Sequence, residues 1–128
     1  MSSSKDAKLI IAGSTGLIAV VAGAFGAHAL QDRLLPKQHN AWTTAVKFNL
    51  LHAVGEIAVI GVLKCVDPQS PAGKHLTRAF YLFAGGTALF SGSIYALCLG
   101  APKMIGPVTP IGGVTLMLGW ISVALAGL

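Results

Sequence analysis

Charge is scarce in this sequence: 128 residues hold four acidic and nine basic side chains, a charged share of 10% against about 25% in ordinary soluble domains. With 54% hydrophobic residues, there is too little polar surface to cover a globule in water, which argues against a soluble fold. So few carboxylates supply no pair placed for general acid–base work. No Ser-His-Asp order or phosphate-cradling glycine motif emerges either, so no catalytic residue is assigned and the expectation is a protein that is not an enzyme. Cysteine is equally sparse. Cys65 and Cys98 fall near opposite ends of their apolar runs, with Cys98 about 30 Å from the end that faces Cys65, too far for a disulfide. His28, His39, His52 and Cys65 form no short ligand pair, so neither a metal nor a cofactor is expected. The net charge of +5 lies scattered through the tail and connectors without interleaved aromatics. That pattern excludes a nucleic-acid surface and suits loops that orient membrane helices.

What the sequence does have is four long apolar runs, about 9–30, 44–66, 78–100 and 109–128. A bilayer core needs about 20 apolar helical residues, so the expected fold is all-α: one integral membrane domain, a four-helix bundle with both termini on the same side. The first run ends in Ala27-His28-Ala29 and follows Lys5 and Lys8, as a cleaved signal would. Its length of about 22 residues exceeds a signal h-region, so residue 1 is expected to belong to the mature chain. Trp42 sits where an interfacial aromatic would. Prolines 68 and 71 separate the second run from the third, and Thr109-Pro110 reads as N-cap and first helical residue of the fourth. The side of the termini collects Lys5, Lys8, Lys64, Lys74 and Arg78, against Arg33, Lys37 and Lys103 on the other, or four with Lys47, a mild bias. The expected orientation puts the termini on the cytoplasmic or matrix side.

Two patterns bear on packing and function. Small residues recur at i, i+4 spacing as Ala84, Ala88, Gly92, Ala96 and Gly100 in the third run and as Thr15, Ala19, Gly23 and Ala27 in the first. Such ridges let helix backbones approach in lipid, and these two are the expected helix contacts. In the second run Asn49, His52 and Glu56 share one face, since steps of three, four and seven residues return to nearly the same angle. Lys47 lies opposite and snorkels toward headgroups. An acid near a helix centre costs about 2.5–3.5 kcal/mol on insertion scales, and each Leu, Ile or Val returns only about 0.3–0.6. Glu56 is therefore expected to be protonated or hydrogen-bonded to His52 or another helix. With His28, Ser91, Tyr95 and Thr109 assigned to the same leaflet as His52, a buried polar cluster is the candidate site. It reads either as interhelical hydrogen bonding or as a proton or ligand site. Gly112-Gly113, beside a helix start, fits close packing or an anion.

Gly23-Ala24-Phe25-Gly26-Ala27-His28, Trp42-x-x-Ala45 leading to His52-Ala53, Leu89-Phe90-Ser91-Gly92-Ser93-x-Tyr95, and Val108-Thr109-Pro110-Ile111-Gly112-Gly113 with Gly119-Trp120 together resemble the transmembrane protein 256 family, the domain of unknown function 423 membrane proteins. The resemblance covers about residues 13–120. It implies a four-helix inner-membrane protein, mitochondrial in some members and bacterial in others, and it supplies no reaction. Glu56 stands where the resemblance implies an aliphatic or small residue. The expected role is a structural or accessory subunit in the mitochondrial inner membrane, with the lipid bilayer and other membrane subunits, for instance of a respiratory assembly, as partners. A bacterial-type membrane is the alternative location, and a small transporter or proton-handling protein the alternative role.

Overall fold

The computed structural model describes residues 3–128, and their side chains from residue 7 onward. Four helices follow in chain order: α1 (Ser3–His28), α2 (Pro36–Leu63), α3 (Pro71–Cys98) and α4 (Val108–Ala126), with a 3-10 turn at Lys103–Ile105 before the last. There is no strand among the described residues. All four helices are long and apolar enough to cross a membrane. At 1.5 Å per residue, 28 residues reach about 42 Å, which exceeds a hydrocarbon core of about 30 Å. Four crossings return the C-terminal end to the side of the N-terminal one.

The helices begin where proline allows rather than where hydropathy rises. α2 starts at Pro36 and α3 at Pro71, each in the first turn, where the missing N–H is no loss. Ser70 caps α3 by accepting from the Gly73 N–H at 3.1 Å. Both helices therefore start seven or eight residues before their apolar runs. At α4 the expected cap is corrected: the helix starts at Val108 with Pro107 before it, and the Thr109 hydroxyl turns instead to Ser93. α3 ends through Gly100, at φ +105°, while the Ala101 N–H returns to the Ala96 carbonyl at 2.9 Å. Only glycine adopts that backbone readily, so Gly100 is a turn residue and not part of a packing ridge.

Packing follows chain order. α3 lies most extensively against α4, α2 against α3, and α1 against α2. α1 touches α3 only briefly, where Lys8 stands 5.6 Å from the Tyr81 ring. Among the described residues α4 shares a comparable interface with neither α1 nor α2, so it is held on α3 and the bundle is open between α1 and α4. Its apolar core, with Ala79, Phe80 and Phe83 fully buried, joins Val59 and Ile60 of α2 to Leu116 of α4.

The ridges expected from the sequence are corrected here. On α3, Ala88 is exposed, Ala84 and Ala96 are only half-buried, and a methyl group at Gly92 would meet nothing within 4 Å. The α3–α4 contact is carried by other glycines. A Cβ on Gly112 would land on the Phe90 backbone, one on Gly119 on the Phe83 ring at 2.7 Å, and one on Gly86 on the Leu116 side chain at 2.7 Å. These three let the helix axes close to a distance that any side chain would prevent. On α1, Ala19 is buried and Gly23 faces Val46 of α2, but Ala27 is exposed. That ridge packs on α2 and not on α3. Trp42 is 4% exposed and lies over Gly26, donating its indole N–H to the Ala22 carbonyl at 2.8 Å, so it packs against α1 rather than facing out. The two cysteines are free.

Gly112→Ala and Gly119→Ala each overpack the α3–α4 seam and are expected to lower stability by about 1–3 kcal/mol, measured by denaturant titration in micelles. Gly92→Ala serves as control and changes stability by less than about 0.5 kcal/mol. A loss at Gly92 equal to that at Gly112 would restore the discarded ridge.

Candidate functional site

α2 carries the polar face into the protein. Asn49 and His52 are 2% exposed and Glu56 is fully buried. Facing contacts fix how deep they lie. Gly16 meets Ala53 and Gly23 meets Val46 between α1 and α2. Ser91 meets Ala45 between α3 and α2, and Gly119 meets Phe83 between α4 and α3. Carried across these registers, the apolar runs of the other helices project onto about residues 41–60 of α2. Asn49 and His52 then fall near the middle of that stretch, and Glu56 about one helical turn beyond them toward the side of the termini.

His52 has both ring nitrogens engaged, and its partners decide its protonation. Nδ1 lies 2.7 Å from the Phe48 carbonyl, which can only accept, so Nδ1 carries a proton. Nε2 lies 3.0 Å from the Trp120 indole nitrogen, which can only donate, so Nε2 carries none. The imidazole is thus the neutral Nδ1–H form, held in a box of aromatic rings. Phe83 meets it edge-on at 5.3 Å and Trp120 at 5.8 Å between centroids. One hydrogen bond in this box ties α4 directly to α2.

Glu56 turns to α1. Thr15 Oγ1 sits 3.0 Å from Glu56 Oε1 and 2.8 Å from the Ile11 carbonyl. A hydroxyl has one proton to give. Thr15 donates either to the Glu56 carboxyl or to the Ile11 carbonyl; when it donates to Ile11, its contact with Glu56 is made by a carboxyl proton. Oε2 is buried without a partner, as are Asn49 Oδ1 and Thr87 Oγ1. Asn49 donates to the Tyr95 hydroxyl at 3.0 Å, and the Ser91 hydroxyl donates to the Ala45 carbonyl at 2.7 Å. Ser93 donates to the Phe90 carbonyl and takes the Thr109 hydroxyl proton.

Of the residues singled out in the sequence, Asn49, His52, Glu56, Ser91 and Tyr95 line the inner faces of α2 and α3, and Thr109 joins α4 to α3 at one end. His28 does not belong with them. It is the last residue of α1 and exposed, more than three helical turns past Thr15, where α1 meets the others. His52 and Glu56 do not bond one another; their partners are Trp120 and Thr15. Sequence reasoning missed Trp120 as a donor and Trp42 as a buried strut. The available signal was that an indole N–H inside an apolar span must find an acceptor. Among the described residues, no three His, Cys, Asp or Glu side chains come together.

Comparison with known proteins agrees with this architecture. The model for the family described as "Protein of unknown function (DUF423)" matches residues 22–113, from the middle of α1 into α4. The chain belongs to this family. The UPF0382 membrane protein YwdK of Bacillus subtilis is 36% identical over 118 residues, covering 92% of this chain and 93% of the relative. A UPF0382 membrane protein of Schizosaccharomyces pombe is 37% identical over 117 residues, covering 86% and 92%. One from Haemophilus influenzae is 34% identical over 120 residues, covering 94% and 92%. No solved structure gives a significant match. This DUF423 chain is thus a small multi-pass integral membrane protein.

Nitrogen-15 spectra of histidine-labelled protein in micelles are expected to show His52 protonated at Nδ1 and bare at Nε2. Trp120→Phe keeps the ring but removes the donor, and should cost about 0.6–1.7 kcal/mol of stability while shifting the Nε2 resonance. An imidazolium signal from His52 at neutral pH would contradict the assignment.

Proposed function

We propose that this DUF423 protein is a structural, non-enzymatic accessory subunit that packs against a larger membrane complex, for instance a respiratory assembly. The observation that carries this reading is the engagement of His52 at both ring nitrogens. A histidine near the membrane midplane is the natural carrier for proton traffic, and here it spends both positions joining α2 to its own carbonyl and to α4. Asn49, Ser91 and Thr109 likewise bond helix to helix, and glycine contacts leave no lumen between α3 and α4. The seam between α1 and α4 is open, giving a flank on which another membrane protein can seat. Connectors of a few residues leave little to act outside the bilayer.

The location we propose is the mitochondrial inner membrane, with a bacterial-type cytoplasmic membrane as the alternative that the Bacillus and Haemophilus relatives favour. In either, the termini face the matrix or cytoplasm, since Lys8, Lys64, Lys74 and Arg78 collect on that side. Cys65 lies exposed at that end of α2. A membrane-impermeant maleimide should label it only after that face is opened to the reagent; labelling of Cys65 from the outer face would reverse the topology.

Glu56 supports a second reading, a proton-handling protein, because its Oε2 is buried without a partner. Purification in mild detergent with mass spectrometry separates the two. Stoichiometric recovery within a larger complex is the expected result. A free homo-oligomer that acidifies liposomes, and loses that flux with Glu56→Gln, would replace the accessory reading with the proton-handling one.

A further inference from the structure

A groove of about 450 Å³ opens between the C-terminal half of α1 and the N-terminal half of α2, in the leaflet of the first and third connectors. Its shape comes from the α1–α2 contact already described. Gly26 makes room for the Trp42 indole, so the helices close behind the groove, and the small residues Gly23 and Ala27 leave its α1 wall bare. Trp42, fixed by its bond to the Ala22 carbonyl, is the floor. Along the opposite wall His39, Thr43 and Lys47 repeat at four-residue intervals, one above another on one face of α2.

The chemistry of this wall is graded with depth. Lys47 stands two helical turns, about 12 Å, below His39, inside the hydrocarbon by the registers above, and it is exposed toward the groove side of the helix rather than buried. An ammonium at that depth is costly unless its stem rises toward the headgroups or an anion meets it. Rising along α2, it reaches the level of Thr43. His39 closes the top, its Nε2 at 2.9 Å from the Gln31 carbonyl and therefore protonated there. No acidic side chain lines the groove; Asp32 lies in the connector outside it, beside Arg33. Ala27 stands level with Trp42 near the mouth, and the apolar part below it is walled by Gly23 and Val46, about one helical turn deeper.

An anion held at the mouth with an apolar tail below describes a lipid. We propose that the α1–α2 groove binds one anionic phospholipid, its phosphate held by Thr43 and the raised Lys47 ammonium under His39 and one acyl chain running down past Gly23 and Val46. Basic recesses between membrane helices recognise acidic headgroups in this way, each lysine contributing about 1 kcal/mol, or about fivefold in affinity.

The test is native mass spectrometry of the full chain released from mild detergent after incubation with dioleoylphosphatidylglycerol or dioleoylphosphatidylcholine. One phosphatidylglycerol per chain is expected, retained at least fivefold over phosphatidylcholine. Lys47→Gln should remove the preference, and Ala27→Leu, which fills the groove from its exposed wall, should remove retention of both. Lys64→Gln, at the opposite end of α2, should change neither, and inorganic phosphate should not compete at concentrations that leave the micelle intact. Because Ala27 and Lys47 are both exposed, unaltered helical circular dichroism is expected in each variant. Equal retention of the two lipids, preference surviving in Lys47→Gln, or displacement by inorganic phosphate would overturn the assignment.

Discussion

A helix that carries Asn49, His52 and Glu56 on one face enters hydrocarbon at a net cost unless other helices meet those groups, and this constraint organises the whole molecule. Insertion of a charged acid alone costs several times what one aliphatic side chain returns. The structure answers from all sides of α2: Thr15 comes from α1, Tyr95 and Ser91 from α3, and Trp120 from α4. Each partner is a donor or acceptor matched to what α2 offers. Interhelical hydrogen bonds in membranes average about 0.6 kcal/mol, so the cluster contributes less by its sum than by fixing rotation. A turned α2 would expose His52 to lipid and strand the Trp120 N–H.

The hydrogen bonds set which faces meet, and glycine sets how closely. Gly86, Gly112 and Gly119 bring α3 and α4 into backbone contact, and Gly26 makes room for Trp42 between α1 and α2. Dispersion falls off steeply with separation, so close approach is the main source of cohesion where burial from water is absent. Trp42 and Trp120 complement this. Each fills the space beside a close contact and spends its single donor on a group of a neighbouring helix, the Ala22 carbonyl or the His52 ring. Packing in chain order, with each helix laid on its predecessor, leaves the α1–α4 seam as a flank without an internal partner.

Much of this was legible in the residues themselves. Four apolar runs and a lack of charge fix the class, and the spacing of Asn49, His52 and Glu56 places them on one inward face without any coordinates. Ser91 and Tyr95 were legible only as far as their leaflet, which follows from the order of the connectors. The small-residue ridges misled because spacing alone does not say what lies opposite: Gly92 and Gly112 look alike in sequence, but only Gly112 has the Phe90 backbone against it. Helix starts were misplaced because hydropathy marks the lipid boundary, while Pro36 and Pro71 begin helices that emerge beyond it. Trp120 was hidden because an indole on an apolar span carries no periodic signal, and its acceptor lies 68 positions earlier in the chain.

That separation has a consequence for biogenesis. An α2 that enters hydrocarbon ahead of α4 would do so with its imidazole lacking the indole, next to an amide and an acid that also need partners. A wholly aliphatic four-helix chain has no such unmet groups, so here partitioning into lipid is favoured when the helices enter together rather than one by one.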